Sequence, residues 1–218
     1  MEKINRPPLS EISTLKELEE NWEKWGVEYI EGKRRWRSDT SLYYEIRNTL
    51  ISISKKHCML CDGYPIGANS RKTIEHYFPK KQYPCFAFLW ENLFHCCDTC
   101  QAAANRLKMF EYTLKPDNED YLFGKYFYYD MNSGKLIVYE NLKIDVPDEY
   151  AKANLFLKRY DINNEERVES RQNAFSDIMN FLKNSDAPME IRETRDDFAY
   201  RYVYDYAKYR FDQQIKQI

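Results

Sequence analysis

Cys58-Met59-Leu60-Cys61, Ile74-Glu75-His76-Tyr77-Phe78-Pro79, Trp90-Glu91-Asn92-Leu93 and Cys97-Asp98-Thr99-Cys100-Gln101 follow one another in this order, and their reading decides the fold. Two CxxC pairs stand 35 residues apart. Each can bend into a knuckle that offers two thiolates to one tetrahedral ion, and four soft sulfurs suit Zn²⁺ in a closed structural site. The expected ligands are Cys58, Cys61, Cys97 and Cys100. Cys96 competes with Cys97, but only Cys97 keeps the two-residue spacing to Cys100. All six cysteines lie within residues 58–100, whereas a disulfide scaffold would spread them along a short secreted chain. Neither CxxC sits in a visible βαβ unit, which argues against a redox pair. Cys85 and Cys96 are expected to be ordinary buried thiols. His57 and His95 adjoin the knuckles and are expected to stand beside the metal, since four thiolates complete its shell.

Between the knuckles lies a hydrolytic constellation. Glu75 offers oxygen to a hard cation such as Mg²⁺. His76, if neutral, takes a proton from water. Phosphodiester hydrolysis needs both a base for the nucleophile and a cation for the charge on the leaving oxygen. Taken singly, each residue is ordinary: a core histidine, a surface acid, a turn asparagine. Together, in order and inside a four-cysteine bracket, they form a site.

The rest of the chain sets the frame. Its 218 residues are enough to bury a real core. With 33 Lys+Arg against 35 Asp+Glu the net charge is −2, which excludes a wholesale basic coat but not a local basic site. There are only 6 glycines, and neither a Walker motif nor a dinucleotide fingerprint. No run approaches the roughly 18 apolar residues of a spanning helix. The first residues lack the apolar run of a secretory signal, and a cytoplasmic location is expected.

Three regions separate by pattern. Residues 1–57 read as helical, with one helix around Ser10 to Trp25 stopped at Gly26 and another from Thr40 to Lys56. Residues 58–115 hold the cysteines. Residues 116–218 open with a hairpin, Tyr121 to Tyr129 and Lys135 to Tyr139 around Asp130 to Gly134. Helices follow. Asp148 is expected to cap one, Asn163 with Glu166 to form a capping box for another, and Pro188 to precede the last. Regional charge is +1, +2 and −5, so the acidic excess lies away from the cysteines. The Tyr-rich, acidic C-terminal helices are candidate docking surfaces. Lys33-Arg34-Arg35-Trp36-Arg37 is the one dense basic run. Arg34 and Arg35 could grip a phosphate backbone with Trp36 stacking on a base; the plainer reading is a solvated surface.

The segment between and including the knuckles resembles the HNH endonuclease motif, which reads acid-His on one strand, Asn near the second, then Cys-x-x-Cys-(Asn or His) opening a helix. The resemblance implies an α+β chain whose ββα-metal core is stapled by a four-cysteine zinc site and flanked by helices and a hairpin. It implies that His76 is the general base, that Glu75 ligates a catalytic Mg²⁺ or Mn²⁺, and that Asn92 holds the inter-strand loop and orients His76. Gln101 takes the second ligand position, where the family has Asn or His. Asn105, four residues on and on the same helical face, is a further ligand candidate by spacing. The Lys that the family places four residues after the last cysteine is Ala104 here, which moves the phosphate contact to Arg106 or Lys108, with Lys80 beside them.

Beyond the motif, Lys3-Ile4-Asn5-Arg6-Pro7-Pro8, Tyr83-Pro84 and Arg159-Tyr160-Asp161-Ile162-Asn163-Asn164 are similar to the PtuB nuclease subunits of Septu and Septu-like retron antiphage systems. That likeness implies an ABC- or SMC-like ATPase partner of the PtuA type, a retron reverse transcriptase with its msDNA in some systems, and DNA or tRNA as substrate. The expected function is a metal-dependent HNH endonuclease serving as the effector of antiviral defence. The alternatives are a zinc-stapled adaptor without catalysis, favoured by Gln101 and Ala104, and a pure nucleic-acid-binding subunit.

Overall fold

The computed structural model describes residues 1–67, 70–107, 110–183 and 194–216. Two antiparallel strands run straight into a helix at its centre. β1 (Lys72–His76) pairs with β2 (Leu93–Cys97), with Ile74 opposite His95 and His76 opposite Leu93. All five residues of β2 are buried, so the strand is covered on both faces and shows no polar alternation. α1 (Lys16–Ile30) and α2 (Ser41–Ile53) come before the strands, and α2 packs on β2. α3 (Asp98–Arg106) begins where β2 ends. Cys97 makes that junction: its Sγ accepts from the Cys100 N–H at 3.5 Å, the place a Ser or Asp cap would take.

Helix α1 departs from expectation at both ends. Two 3-10 turns, Leu9–Glu11 and Ser13–Leu15, precede it, and it runs through Gly26 rather than stopping there. Gly26 is a close-approach residue. A Cβ at this position would collide with the Cys85 carbonyl oxygen in the loop between β1 and β2. The neighbouring Trp25 meets Phe88 of that loop edge-on at 5.6 Å. Gly26→Ala is therefore expected to destabilise by about 1–3 kcal/mol. The helix-propensity gain of about 1 kcal/mol offsets only part of this. Thermal unfolding would show it as a fall of several degrees. Cys85 itself is exposed, contrary to expectation, because its backbone rather than its thiol faces α1. Cys96 is buried as expected. Helix α2 follows its reading closely. The Thr40 hydroxyl caps it through the Tyr43 N–H at 3.2 Å, and positive φ at Lys55 and Lys56 ends it before Lys56.

Arg6 ties the N-terminal segment to the strands. It donates to the carbonyls of Trp90 at 3.0 Å and Leu93 at 2.9 Å, and pairs with Asp117 at 3.0 Å. Each guanidinium nitrogen thus meets an acceptor, as a buried arginine requires.

The C-terminal region holds α4 (Phe123–Tyr126), then the hairpin of β3 (Phe127–Asp130) and β4 (Lys135–Val138). Its first strand starts later than the Tyr121 expected, because residues 123–126 coil into α4. Gly134 closes the hairpin at φ 68. α5 (Leu142–Asp145), α6 (Pro147–Arg159), α7 (Glu165–Lys183) and α8 (Arg201–Ile215) follow. Asp148 lies inside the first turn of α6, behind Pro147, and does not cap it. Asn164, not Asn163, caps α7, accepting from the Arg167 N–H at 2.9 Å. Asn163 instead exchanges two hydrogen bonds with the backbone of Leu136 on β4, at 2.9 and 2.8 Å. Pro188 lies outside the described residues. Tyr200 and Tyr202 are buried, so much of the aromatic content offered as a docking surface is core; Tyr209 is exposed.

Candidate active site and metal centre

The four cysteines of the two CxxC pairs converge. Their sulfurs all lie within 4.8 Å of one another, and all four residues are buried. Cys58 to Cys100 and Cys61 to Cys97 are each 3.8 Å apart. A tetrahedron of sulfurs at about 2.3 Å from a zinc ion has edges of about 3.8 Å, so the cluster is compatible with structural zinc. Backbone N–H groups of Cys61, Cys97 and Cys100 point at the sulfurs at 3.5 Å. Hydrogen bonds among the thiols hold Cys61 and Cys97 below the ordinary thiol range, while burial pushes Cys58 and Cys100 up.

Two arginines from the C-terminal helices buttress the cluster. Arg167 of α7 donates to Cys100 Sγ at 3.1 Å and Cys97 Sγ at 3.6 Å. Arg201 of α8 pairs with Asp62, which follows Cys61 and is fully buried. Burial opposes ionisation of Asp62, but the Met1 ammonium and Arg201 outweigh it and hold the carboxyl below its usual range. His57 donates to the Asp196 carbonyl at 2.9 Å and His95 lies 3.3 Å from the Ser54 hydroxyl; neither joins the metal cluster.

The second centre is a cavity of about 620 Å³. Glu75, His76 and Lys80 come to it from β1 and the following loop, and Gln101, Asn105 and Arg106 from α3. Lys158 and Arg159 of α6 form another wall, so the cavity crosses the boundary drawn at residue 115. Helical spacing explains why Gln101 and Asn105 both face it. Lys108 lies outside the described residues.

His76 is 3% exposed, and its Nε2 stands 3.0 Å from the Ala87 carbonyl oxygen. A carbonyl only accepts, so Nε2 carries the proton and Nδ1 holds the free lone pair in the neutral ring. Burial, with the Lys80 charge adding to it, keeps the imidazole well below its ordinary range and hence neutral. Lys80 Nζ sits 3.3 Å from Nδ1. Trp36 meets the ring edge-on at 4.6 Å. Glu75 is 6% exposed, and burial pushes it up to about 7 against the opposing charges of Arg159 and Lys80. Gln101 donates through Nε2 to the Ile74 carbonyl at 2.9 Å and hydrogen-bonds the Glu75 carboxyl.

Asn92 does not line the cavity. It is fully buried and clamps the inter-strand loop. Its Oδ1 accepts from the Phe78 N–H at 2.6 Å, and its Nδ2 donates to the carbonyls of Phe78 and Phe86 at 3.1 and 2.8 Å. That loop carries Ala87 and Lys80, the two groups that fix His76. Asn92 thus holds the loop from which Ala87 and Lys80 meet His76.

Of the basic run, Trp36 reaches this site, against His76, and Arg34 and Arg35 do not line it. Arg34 pairs with Glu28 at 3.0 Å and lies over the Trp25 ring at 4.2 Å. Arg34 and Arg35 line a separate cavity of about 170 Å³ that shares no residue with the first. Trp36 packs on His76 instead of offering a free stacking face. Arg106, expected to contact phosphate, pairs with Asp161 at 3.0 Å on the cavity rim. Sequence reasoning missed Arg159, Arg167 and Trp36. Arg159 ends α6 and opens the Arg159 to Asn164 stretch that carried the family likeness, Arg167 lies in the first turns of α7, and Trp36 is in the run read as a nucleic-acid grip.

Among the described residues, no helix is long and apolar enough to cross a membrane. No protein-family model and no curated protein matches the chain.

Proposed function

We propose that the chain is a metal-dependent endonuclease of the HNH type, with structural zinc on Cys58, Cys61, Cys97 and Cys100. One observation carries this reading. Among the described residues, Glu75, His76, Gln101 and Asn105 line one cavity together with five cationic side chains and only one other carboxylate, Glu111, in a chain of net charge −2. A neutral imidazole whose Nδ1 is left unprotonated, beside hard oxygen donors in a cationic hollow, suits hydrolysis of a phosphodiester.

The donor set fits a hard divalent cation. Glu75 offers a carboxylate, Gln101 and Asn105 offer amide oxygens, and none offers sulfur. Bound there, Mg²⁺ or Mn²⁺ would supply charge stabilisation for the leaving oxygen. The chain's own groups do the rest. His76 Nδ1 takes the proton of the attacking water, and the Ala87 carbonyl holds the ring in the tautomer that allows this. Lys80 occupies Nδ1 in the free protein and moves to the incoming phosphate, which frees the base. Trp36 keeps bulk water from the ring. Lys80→Met is expected to weaken nucleic-acid binding about tenfold at low salt, and to reduce the salt dependence of log Kd by about one phosphate contact.

The near-neutral net charge limits unaided binding to nucleic acid. Delivery by an ATPase subunit in an antiphage complex supplies what charge does not. The test is incubation with plasmid, single-stranded DNA and total tRNA, in Mg²⁺ or Mn²⁺ and in EDTA, with and without any ATPase encoded next to it, and with and without ATP. Scission that EDTA stops is expected. Its absence in every arm would favour the adaptor reading, in which Gln101 has replaced a working ligand.

A further inference from the structure

We propose that Arg159 is a substrate-binding residue of this cavity, whose guanidinium receives a non-bridging oxygen of the phosphodiester. It lies on the last turn of α6, outside the strand-strand-helix core, yet it lines the same cavity as Glu75 and His76. It is 4% exposed and always charged.

A buried guanidinium is costly unless its donors and its charge are met. Those of Arg159 are met only in part. Nη2 donates to the Tyr77 carbonyl at 2.7 Å. Nη1 is buried with no hydrogen-bond partner among the described residues. The nearest carboxylate, Glu75, is 4.0 Å from Nη2, beyond hydrogen-bond reach. The rings of Phe110, Tyr160 and Tyr77 lie 4.9, 5.2 and 5.3 Å from the guanidinium carbon and hold it in place without giving a counter-charge.

Arg6 and Arg171 show the contrast. The side chains of both are covered, and each has an acceptor for every guanidinium nitrogen. Arg159 alone of the three faces a cavity. A held cation with a spare donor, on the wall of a hollow with Lys80 and Lys158, matches a tetrahedral oxyanion. The inference rests on the nuclease reading for the identity of that anion.

The experiment measures binding without cleavage. A short oligothymidylate is titrated into the whole zinc-loaded protein in buffer without Mg²⁺ or Mn²⁺, for the wild type, Arg159→Lys, Arg159→Met and Lys152→Met. Lys152 is an exposed residue of the same helix that does not line the cavity. Both Arg159 variants are expected to bind about 10- to 100-fold more weakly, the loss typical of a charge-assisted hydrogen bond. Lys152→Met should change affinity less than threefold. Wild-type affinity in a folded Arg159→Lys would overturn the proposal and leave Arg159 as a packing residue. Should both Arg159 variants fail to fold, arginine side-chain nitrogen NMR of the wild type decides. The buried Nη protons shift on adding the oligonucleotide if the proposal holds, and stay in place if it does not. Metal-dependent cleavage that persists at full rate in Arg159→Lys would remove this inference alone. Arg159-dependent binding without any cleavage would remove only the nuclease reading.

Discussion

Stripping the metal from the four-cysteine cluster is expected to unfold far more than the two knuckles. Structural zinc on four thiolates contributes about 10–16 kcal/mol in small domains, against a total stability of about 5–15 kcal/mol for an ordinary domain. In this chain the cluster is also where distant elements meet. Arg167 ties α7 to Cys97 and Cys100, and Asp62, next to Cys61, ties the start of α8 through Arg201. Without thiolates, Arg167 becomes a buried cation lacking its counter-charge, a state that costs several kcal/mol in itself. Cys58→Ser is therefore expected to lower the melting temperature by at least about 10 °C, at roughly 2–4 °C per kcal/mol for a chain of this size. A chelator strong enough to extract zinc should abolish near-ultraviolet dichroism while one zinc per chain is released to a chromogenic reagent. A melting temperature indifferent to Cys58→Ser would show that the cluster does not organise the C-terminal helices.

The four-cysteine cluster was legible in the sequence because spacing along the chain determines what a knuckle can offer. The two residues between Cys58 and Cys61, and between Cys97 and Cys100, leave little freedom in how each pair presents its sulfurs. The α2 start at Thr40 and the hairpin turn at Gly134 were legible for the same reason: each is a local chemical requirement. What was not legible depends on partners far away in sequence. Gly26 looks like a helix stop, yet it admits the Cys85 carbonyl. Asn163 looks like a cap, yet β4 claims its side chain and leaves the cap to Asn164. Trp36 and Arg34 look like a nucleic-acid grip because a basic run carries no sign of what it packs against.

The cavity shows the same division. Glu75, His76 and Gln101 were found by their order around the knuckles, and Asn105 by helical spacing. Arg159 contributes from the end of α6, more than fifty residues after α3 ends, and no local pattern marks it. Its signal is three-dimensional: a donor without a partner on the wall of a hollow.

His76→Ala is expected to have the largest effect on activity. The substitution removes Nδ1, the lone pair that the proposed mechanism uses to take a proton from water, and a positioned general base contributes about 10²- to 10⁴-fold in rate. Fold and binding should largely survive, because Glu75, Gln101, Lys80 and the four-cysteine cluster keep their places. The lost packing against Trp36 should lower the melting temperature by only a few degrees. The loss should therefore appear in kcat and not in KM. The decisive measurement is single-turnover cleavage in Mg²⁺ by the wild type and His76→Ala side by side, on whichever of DNA or tRNA the wild type cuts, with zinc content and melting temperature recorded for both. A rate at least a hundredfold lower in a folded, zinc-replete His76→Ala is the predicted result. Equal rates in the two proteins would contradict the account, since the cavity around Glu75 and His76 would then not be where the chemistry happens.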